Sequence, residues 1–316
     1  MQYNKSNCPI FLSKIYNRAK CLKGIFFPKY KVNDEINDLS CNPFFIIGSG
    51  RSGNTLLRAI LTNHSKVSIP PESYVLPNTV RKFQIYNFLP WEELVKLILG
   101  EFESHDQFTM WEINIHDVYE RVLNLEENNR SLAKIIDEVY CYYSEQKFPG
   151  FEIWGDKTPG NTLSLGWIDL LYNDAKYIHI IRDGRDVVSS YLKMGRYNNI
   201  KDACERWNDS INVATSFGRM KGSDKYIEII YEDLVSNPKK EIIKICEFIG
   251  IEFEEKMFTY HQEINRLGDT KLSHHGNLTN PINISSIGKW KNNLSKEDID
   301  EMNLLINTNL SKLGYI

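Results

Sequence analysis

No stretch of this chain approaches the roughly 18 consecutive apolar residues that a membrane-spanning helix needs. At the N-terminus Ile10, Phe11 and Leu12 give way at once to Ser13 and Lys14, so the apolar block of a signal peptide is missing too. Cysteine is sparse and scattered. Cys8, Cys21, Cys41, Cys141, Cys204 and Cys246 include no C-x-x-C, which argues against a zinc ribbon or a redox dithiol and leads us to expect reduced thiols in a cytoplasmic protein. The chain lacks a repeat of fixed period and any low-complexity segment, which sets solenoids and linkers aside. Strong charge of either sign is also missing. Lys plus Arg is 38 and Asp plus Glu is 41, a net charge of −3, so no protein-wide field for nucleic acid is expected. No acidic cluster has metal-ligand spacing, and no metal is expected.

What is present is the composition of a folded protein: 316 residues, 42% hydrophobic and 25% charged. Its charge is unevenly spread. Residues 1–31 carry Lys5, Lys14, Arg18, Lys20, Lys23, Lys29 and Lys31 with no acid, so a basic N-terminal extension over 1–40 precedes an acidic body, expected as one domain over 41–316. Ile10, Phe11, Ile15, Leu22, Ile25, Phe26 and Phe27 interleave with those lysines. Two readings follow: an interfacial helix making peripheral membrane contact, or a solvated helix packed on the body.

From Pro43 the punctuation is regular. Phe44 to Ile47 is an apolar run ending in Gly-Ser-Gly, and Thr55 to His64 then carries Leu56, Leu57, Ile60 and Leu61 at helical spacing. Val67 to Ile69 is a second strand candidate. Residues 73–146 read as mainly helical, clearest over 91–99, 116–125 and 131–146. Strands are expected at Phe151 to Trp154, Lys176 to Ile181 and Tyr226 to Ile230, with helices at 239–249 and 296–313. Strands alternating with helices predict an α/β fold, a central parallel sheet flanked by helices on both faces. The polar stretch 266–293 reads as a lid or binding loop.

In such a sheet, ligands bind outside the carboxyl ends of the strands. The loop Gly48-Ser49-Gly50-Arg51-Ser52-Gly53-Asn54-Thr55 stands there, and its chemistry suits an anion. Its glycines permit close backbone approach, the N–H groups of residues 53–56 open the next helix, Arg51 adds a fixed charge, and Asn54 and Thr55 add side-chain donors. A Walker loop needs a Lys after its last Gly, and Asn54 stands after Gly53. A tight strand-to-helix turn with no ligand is the plainer alternative. After the K-Y-I-H-I-I strand comes R-D-G-R-D-V-V-S-S-Y, in which Arg182 and Ser190 can face the same sheet edge and grip a second phosphate. Alternatively, Arg182 and Arg185 pair with Asp183 and Asp186.

These segments resemble a known family. F-F-I-I-G-S-G-R-S-G-N-T-L-L-R is similar to the 5′-phosphosulfate loop, and R-D-G-R-D-V-V-S-S-Y to the 3′-phosphate motif, of sulfotransferases that use 3′-phosphoadenosine 5′-phosphosulfate (PAPS). Gly155-Asp156-Lys157-Thr158-Pro159, Tyr231-Glu232-Asp233-Leu234 and Ile287-Gly288-Lys289-Trp290-Lys291 extend the resemblance. Asn54 departs from the Thr usual there. The resemblance implies a P-loop-like fold with the cofactor between the two motifs, and adenosine 3′,5′-bisphosphate as its product. Gly50, Arg51, Ser52, Gly53, Asn54, Thr55 and Leu56 would hold the 5′ end, Arg182 and Ser190 the 3′-phosphate, and Lys289 would also reach the phosphates.

Moving a sulfuryl group to a hydroxyl or amine leaves charge on the bridging oxygen, where fixed cations lower the barrier; Arg51 and Lys157 are the candidates. The acceptor needs a base. Pro70-Pro71-Glu72-Ser73-Tyr74 resembles the stretch in tyrosylprotein and carbohydrate sulfotransferases whose Glu takes that role, so Glu72 is expected to be catalytic. Its plainer reading is a helix N-terminal carboxylate. His105 or His116 would replace it in a His-based branch, and Ser273 would be the supporting serine. His274 and His275 form a pair in a polar loop and are expected to be solvated. Tyr74, Tyr86, Trp91 and Tyr197 could stack on a sugar or pack in the core. The expected acceptor is a saccharide or glycolipid, with a peptide tyrosine second. A non-catalytic nucleotide-binding module and a P-loop kinase are the competing classes.

Overall fold

The four residues Phe44–Ile47 are buried on both sides, which a strand of this composition requires, and they form β1 at the centre of the sheet. The computed structural model describes residues 10–34, 39–268 and 278–316. Five parallel strands run in the order β2-β3-β1-β4-β5, with β2 at Val67–Ser68, β3 at Ile153–Lys157, β4 at Lys176–Ile181 and β5 at Tyr226–Ile230. β1 pairs with β3 on one side and β4 on the other, Phe44 lying opposite both Gly155 and Lys176. The chain therefore reverses its direction of travel across the sheet at β1, and the crevice at that switch point is where an α/β sheet binds ligands.

Helices cover both faces. In chain order they are α1 (Ile10–Phe26), α2 (Asn54–Thr62), α3 (Leu76–Tyr86), α4 (Trp91–Glu103), α5 (Ile115–Leu123), α6 (Leu132–Lys147), α7 (Leu165–Leu171), α8 (Gly184–Lys193), α9 (Ile200–Lys221), α10 (Tyr231–Ser236), α11 (Pro238–Ile249), α12 (Trp290–Asn293) and α13 (Lys296–Lys312). The period-two alternation of β1 sorts its side chains. Phe45 and Ile47 pack with α3 to α7, while Phe44 and Ile46 pack with α2 and α11. A third cluster joins α8, α9 and α13 through Val188, Trp207 and Ile306.

Strands β1, β4 and β5 match their sequence expectation residue for residue. β3 does not: it was expected at Phe151 to Trp154 and runs from Ile153 to Lys157. Phe151 turns back on the end of α6, its N–H donating to the Phe148 carbonyl at 3.1 Å, and pairing with β2 starts at Ile153. Gly155-Asp156-Lys157 reads as a polar loop by composition. It enters the sheet because each charge has a partner, Asp156 its buried donors and Lys157 the half-buried Glu72, and Gly155 fits because only a hydrogen can face the Phe44 ring, where a Cβ would stand 2.5 Å away. Lys157 is thus part of the strand rather than beyond its end.

Replacing Gly155 with Ala should destabilise the fold by about 1–3 kcal/mol, the usual result of overpacking. Chemical denaturation measures this, and an unchanged midpoint would mean that the Phe44 ring has room to move.

Candidate active site

The loop after β1 keeps its shape through its own polar groups. The Gly48 N–H donates to Thr162 Oγ1 at 2.8 Å, and Asn54 Nδ2 donates to the Ser49 carbonyl at 2.7 Å. The Asn54 amide is therefore spent on stapling the loop, a different task from the outward donor its position suggested. Arg51 adopts φ 67°, a strained value for a side chain with a Cβ. Gly53 has φ 102°, and a Cβ there would lie 2.4 Å from the Tyr231 ring. No side chain caps α2, so the N–H groups of Asn54, Thr55 and Leu56 have no intrahelical partner.

Those three residues line a cavity of about 350 Å³, together with Gly50, Arg51 and Gly53 of the same loop. Opposite them stand Arg182 from the end of β4, Tyr191 of α8 and Tyr231 of α10. Ser52 is buried behind the loop, its N–H donating to the Ser49 carbonyl at 3.3 Å. Arg182 donates through Nη1 to the Arg51 carbonyl at 3.0 Å and through Nη2 to the Ser286 carbonyl, and its guanidinium lies over the Tyr231 ring at 4.6 Å. Its buried Nε has no partner. Arg51 Nε donates to Ser190 Oγ at 3.1 Å, so the two expected phosphate grips form one continuous cationic wall. Burial first and the neighbouring Arg182 second push the Arg51 guanidinium down from its ordinary pKa.

The surrounding acids are occupied elsewhere. Asp183 takes Arg185 in a forked pair, as the surface-charge reading expected for that half of the motif. Asp186 lies 3.7 Å from Arg182, yet its oxygens accept the N–H groups of Gly288 at 2.7 Å and Trp290 at 3.0 Å, which fixes the late loop. Glu232 accepts the Asp183 N–H at 3.1 Å and the Tyr315 hydroxyl at 2.8 Å.

On the other side of the cavity stands Glu72. One of its oxygens accepts a hydrogen bond from Lys157 Nζ, the other from the Tyr74 hydroxyl. Lys157 is 0% exposed and also lies 3.4 Å from Thr55 Oγ1, which links it to the loop. Tyr74, at φ 58°, stacks on His105 with ring centroids 5.5 Å apart. Burial and the Glu72 carboxylate raise the Tyr74 pKa, which keeps its hydroxyl protonated as a donor. Behind this group Asp156 is a buried hub. It accepts from Tyr140 at 2.8 Å, Thr158 at 3.1 Å, Ser73 at 3.2 Å and Asn161 at 2.8 Å, and the Ser73 N–H donates to Thr158 Oγ1 at 3.0 Å. The neighbours of Glu72 and Lys157 are thereby locked to one carboxylate.

Lys289 is exposed and is not among the residues that line the cavity. His116 is exposed on α5 beside Glu120, whereas His105 accepts the Gln107 N–H through Nδ1 next to Tyr74. Trp91 is in the core, Tyr86 is exposed at the end of α3, and Tyr197 packs on Tyr191. Ser273, His274 and His275 lie outside the described residues. Sequence reasoning missed Arg196 and Arg206, two more cations of the lining. Arg206 is held by Ser210 at 2.8 Å, and neither arginine sits in a pattern that could have marked it. Among the described residues no group of His, Cys, Asp and Glu could hold a metal ion.

Comparison with known proteins agrees with this geometry. The sulfotransferase family profile matches residues 43–255. Protein-tyrosine sulfotransferase A of Caenorhabditis elegans is 24% identical over 285 residues, covering 87% of this chain and 67% of the relative. Protein-tyrosine sulfotransferase 2 of Gallus gallus is 25% identical over 281 residues, covering 86% and 68%. The sulfotransferase domain of the Synechococcus olefin synthase superposes with a TM-score of 0.57 at 24% identity, covering 87% of this chain and 95% of that domain. The corresponding domain of the curacin biosynthetic pathway gives 0.55 at 22% identity, covering 84% and 96%. The fold is thus the P-loop-like three-layer arrangement of these domains.

The Asp156 hub generates a test. Asp156→Ala leaves four buried donors without an acceptor, at about 1–3 kcal/mol each, so unfolding free energy should fall by roughly 3 kcal/mol or more. Burial raises the Asp156 pKa despite these bonds. Its contribution to stability is therefore fully present below the unfolded value near ~3.9 and is lost as pH rises through the folded value. That slope should be missing from urea midpoints of Asp156→Asn measured across acid pH.

Proposed function

The chain belongs to the sulfotransferase family, and from that premise we propose that its cavity binds PAPS and that Glu72 is the base that prepares a hydroxyl acceptor. The observation that carries this reading is the cationic wall: an uncapped helix N-terminus, Arg51 and Arg182, whose buried Nε has no partner, all belong to the lining of one cavity. Such a wall fits a nucleotide that carries a phosphate at each end. Bound there, the donor supplies an activated sulfuryl group. The N–H groups of Asn54, Thr55 and Leu56, together with the Arg51 guanidinium, would hold its 5′ end. Arg182 and Ser190 hold the 3′ end, and Tyr231 fixes the Arg182 plane.

Lys157 is placed to meet the charge that develops on the oxygen between phosphorus and sulfur, because its Nζ already reaches Thr55 at the loop. Glu72 accepts the acceptor's proton on the oxygen that it now shares with Lys157 or Tyr74. The two tasks are compatible: as Lys157 turns towards the leaving oxygen, it frees Glu72. A pure nucleotide-binding module has no use for this pair. Among acceptors, a saccharide or glycolipid hydroxyl is the first reading. A peptide tyrosine is the second, and the names of the curated relatives favour it.

Calorimetric titration without metal should give micromolar binding of adenosine 3′,5′-bisphosphate, weakened at least about tenfold in Arg182→Ala, the loss of one charge-assisted contact. A preference for magnesium-ATP would overturn the reading in favour of a kinase. Glu72→Gln should lower turnover by roughly 10²–10⁴-fold against an acceptor panel of sugars, glycolipids and tyrosine peptides, with bisphosphate binding retained.

A further inference from the structure

Helix α1 is laid on the body with its apolar side outwards. It touches α3 and the following turn through small residues. Gly24 is buried, with room for no more than a hydrogen, since a Cβ there would meet the Phe88 side chain at 3.1 Å. Cys21 Sγ lies 3.6 Å from the Ile85 carbonyl on the same side. The chain beyond it is pinned as well: Asn87 Oδ1 accepts the N–H groups of Lys29 and Tyr30, and Lys31 forms a bridge with Ser131. The attachment is therefore definite, and it uses the face of the helix that carries the least hydrophobic surface.

The opposite face holds the large apolar residues. At 3.6 residues per turn Phe11, Leu12, Ile15, Ala19, Leu22 and Phe26 fall within one arc about 100° wide. All are exposed, Phe11 at 71%, Ile15 at 50%, Leu22 at 59% and Phe26 at 74%, and Phe27 continues the patch at 73%. A soluble surface helix has the reverse arrangement, and a contiguous apolar patch of this kind marks an interaction site. The edges of the arc are basic: Lys14 and Arg18 flank one side, Lys20 and Lys23 the other. From Ile10 to Val32 there is no acid at all.

We infer that α1 is a docking helix for the surface of a bilayer containing anionic lipid, lying in the interface with this arc in the acyl boundary and its flanking cations among the headgroups. Its four cations and 17 residues exclude crossing, and among the described residues no helix is long and apolar enough to span a membrane. Aromatic and aliphatic side chains on one face with Lys and Arg along both margins is the arrangement such surface helices use, because the long basic stems reach up to the phosphates while the apolar face sinks. A second copy of the chain would bring the two basic margins together, like charge against like. An anionic surface meets both the apolar arc and its margins. This attachment leaves the cavity free, since no α1 residue lines it.

The test is co-sedimentation of the full chain with phosphatidylcholine vesicles that contain phosphatidylglycerol, beside vesicles of phosphatidylcholine alone. Binding is expected only to the anionic vesicles and should weaken as salt shortens the screening length from about 10 Å at 0.1 M to about 3 Å at 1 M. The exposed triple substitution Phe11→Ser, Ile15→Ser and Phe26→Ser should cost at least about tenfold in vesicle affinity. Lys14→Gln and Lys23→Gln should cost roughly fivefold each. Both sets should leave the thermal midpoint unchanged. Equal binding to neutral vesicles, no binding to either, or a doubled solution mass that the triple serine variant abolishes would overturn the inference; the last would assign the arc to a second copy.

Discussion

Among the described residues, four arginines share one cavity with a single carboxylate, and that carboxylate is already held by Lys157 and Tyr74. The site depends on this imbalance. Like charges confined in a partly desolvated cleft raise one another's energy, and Arg51 shows the strain through its lowered pKa. The fold tolerates the cost because three of the guanidiniums direct their hydrogen bonds to backbone or hydroxyl oxygens: Arg182 donates to the carbonyls of Arg51 and Ser286, Arg51 to Ser190 and Arg206 to Ser210, with Asp186 no nearer to Arg182 than 3.7 Å. Neutral acceptors fix geometry without cancelling charge. The nearby acids that could have cancelled it are turned to backbone N–H groups instead, Asp186 to the late loop and Glu232 to Asp183. Positive potential is thereby left over for a ligand.

The position of this potential follows from topology. β1 lies between β3 and β4, so the loop that follows it opens at the one crevice where neighbouring connections depart in opposite directions. Arg182 comes from the end of β4 and Lys157 from the end of β3, the two immediate neighbours of β1. Three adjacent parallel strands thus deliver a glycine-rich loop, an arginine and a lysine to one edge, and the register that aligns Ile46 with both Lys157 and Ile178 sets their depth. A slip of one residue in β3 would send Lys157 to the opposite face.

Much of this was legible in the sequence, and the failures have physical causes. The largely apolar strands β1, β4 and β5 announce themselves, most clearly β1 and β4, where burial on both faces demands nearly continuous hydrophobicity. The G-S-G-R-S-G loop and the R-D-G-R motif were readable because each follows an apolar strand at the carboxyl edge of the sheet, although Arg185 turned out to pair with Asp183. The register of β3 was not, because its last three residues are Gly, Asp and Lys, and a strand that buries charge looks like a loop until its partners are known. Tyr140, Ser73 and Asn161, which satisfy Asp156, come from three separate segments. Arg196 and Arg206 were invisible for a related reason: long side chains reach the cavity, Arg196 from the turn after α8 and Arg206 from α9, at positions whose neighbours carry no motif. Asn54 was placed correctly in the cavity lining and misread in its task, since a side-chain amide competes for its own loop's carbonyls before it meets any ligand.

The Lys157–Glu72 pair holds the site in a resting state that is costly to break by deletion and cheap to exchange. A fully buried ammonium stripped of its partner costs about 3–5 kcal/mol, so Lys157 needs an anion at all times. Glu72 is that partner, and Thr55 Oγ1 at 3.4 Å marks the next position along the way to the loop. An anion seated over the N-terminus of α2 offers Lys157 a second partner at that end. The ammonium can then turn without ever being unpaired, and Glu72 is released just when the cavity is occupied. With Glu72 as the base, as proposed above, a carboxylate withheld until an anion is in place cannot deprotonate an acceptor prematurely. That ordering requires no moving domain, only two anions competing for one buried lysine, and it explains why Ser73 and Thr158, the neighbours of the two partners, are both tied to Asp156: the backbone must stay fixed while the side chain changes hands.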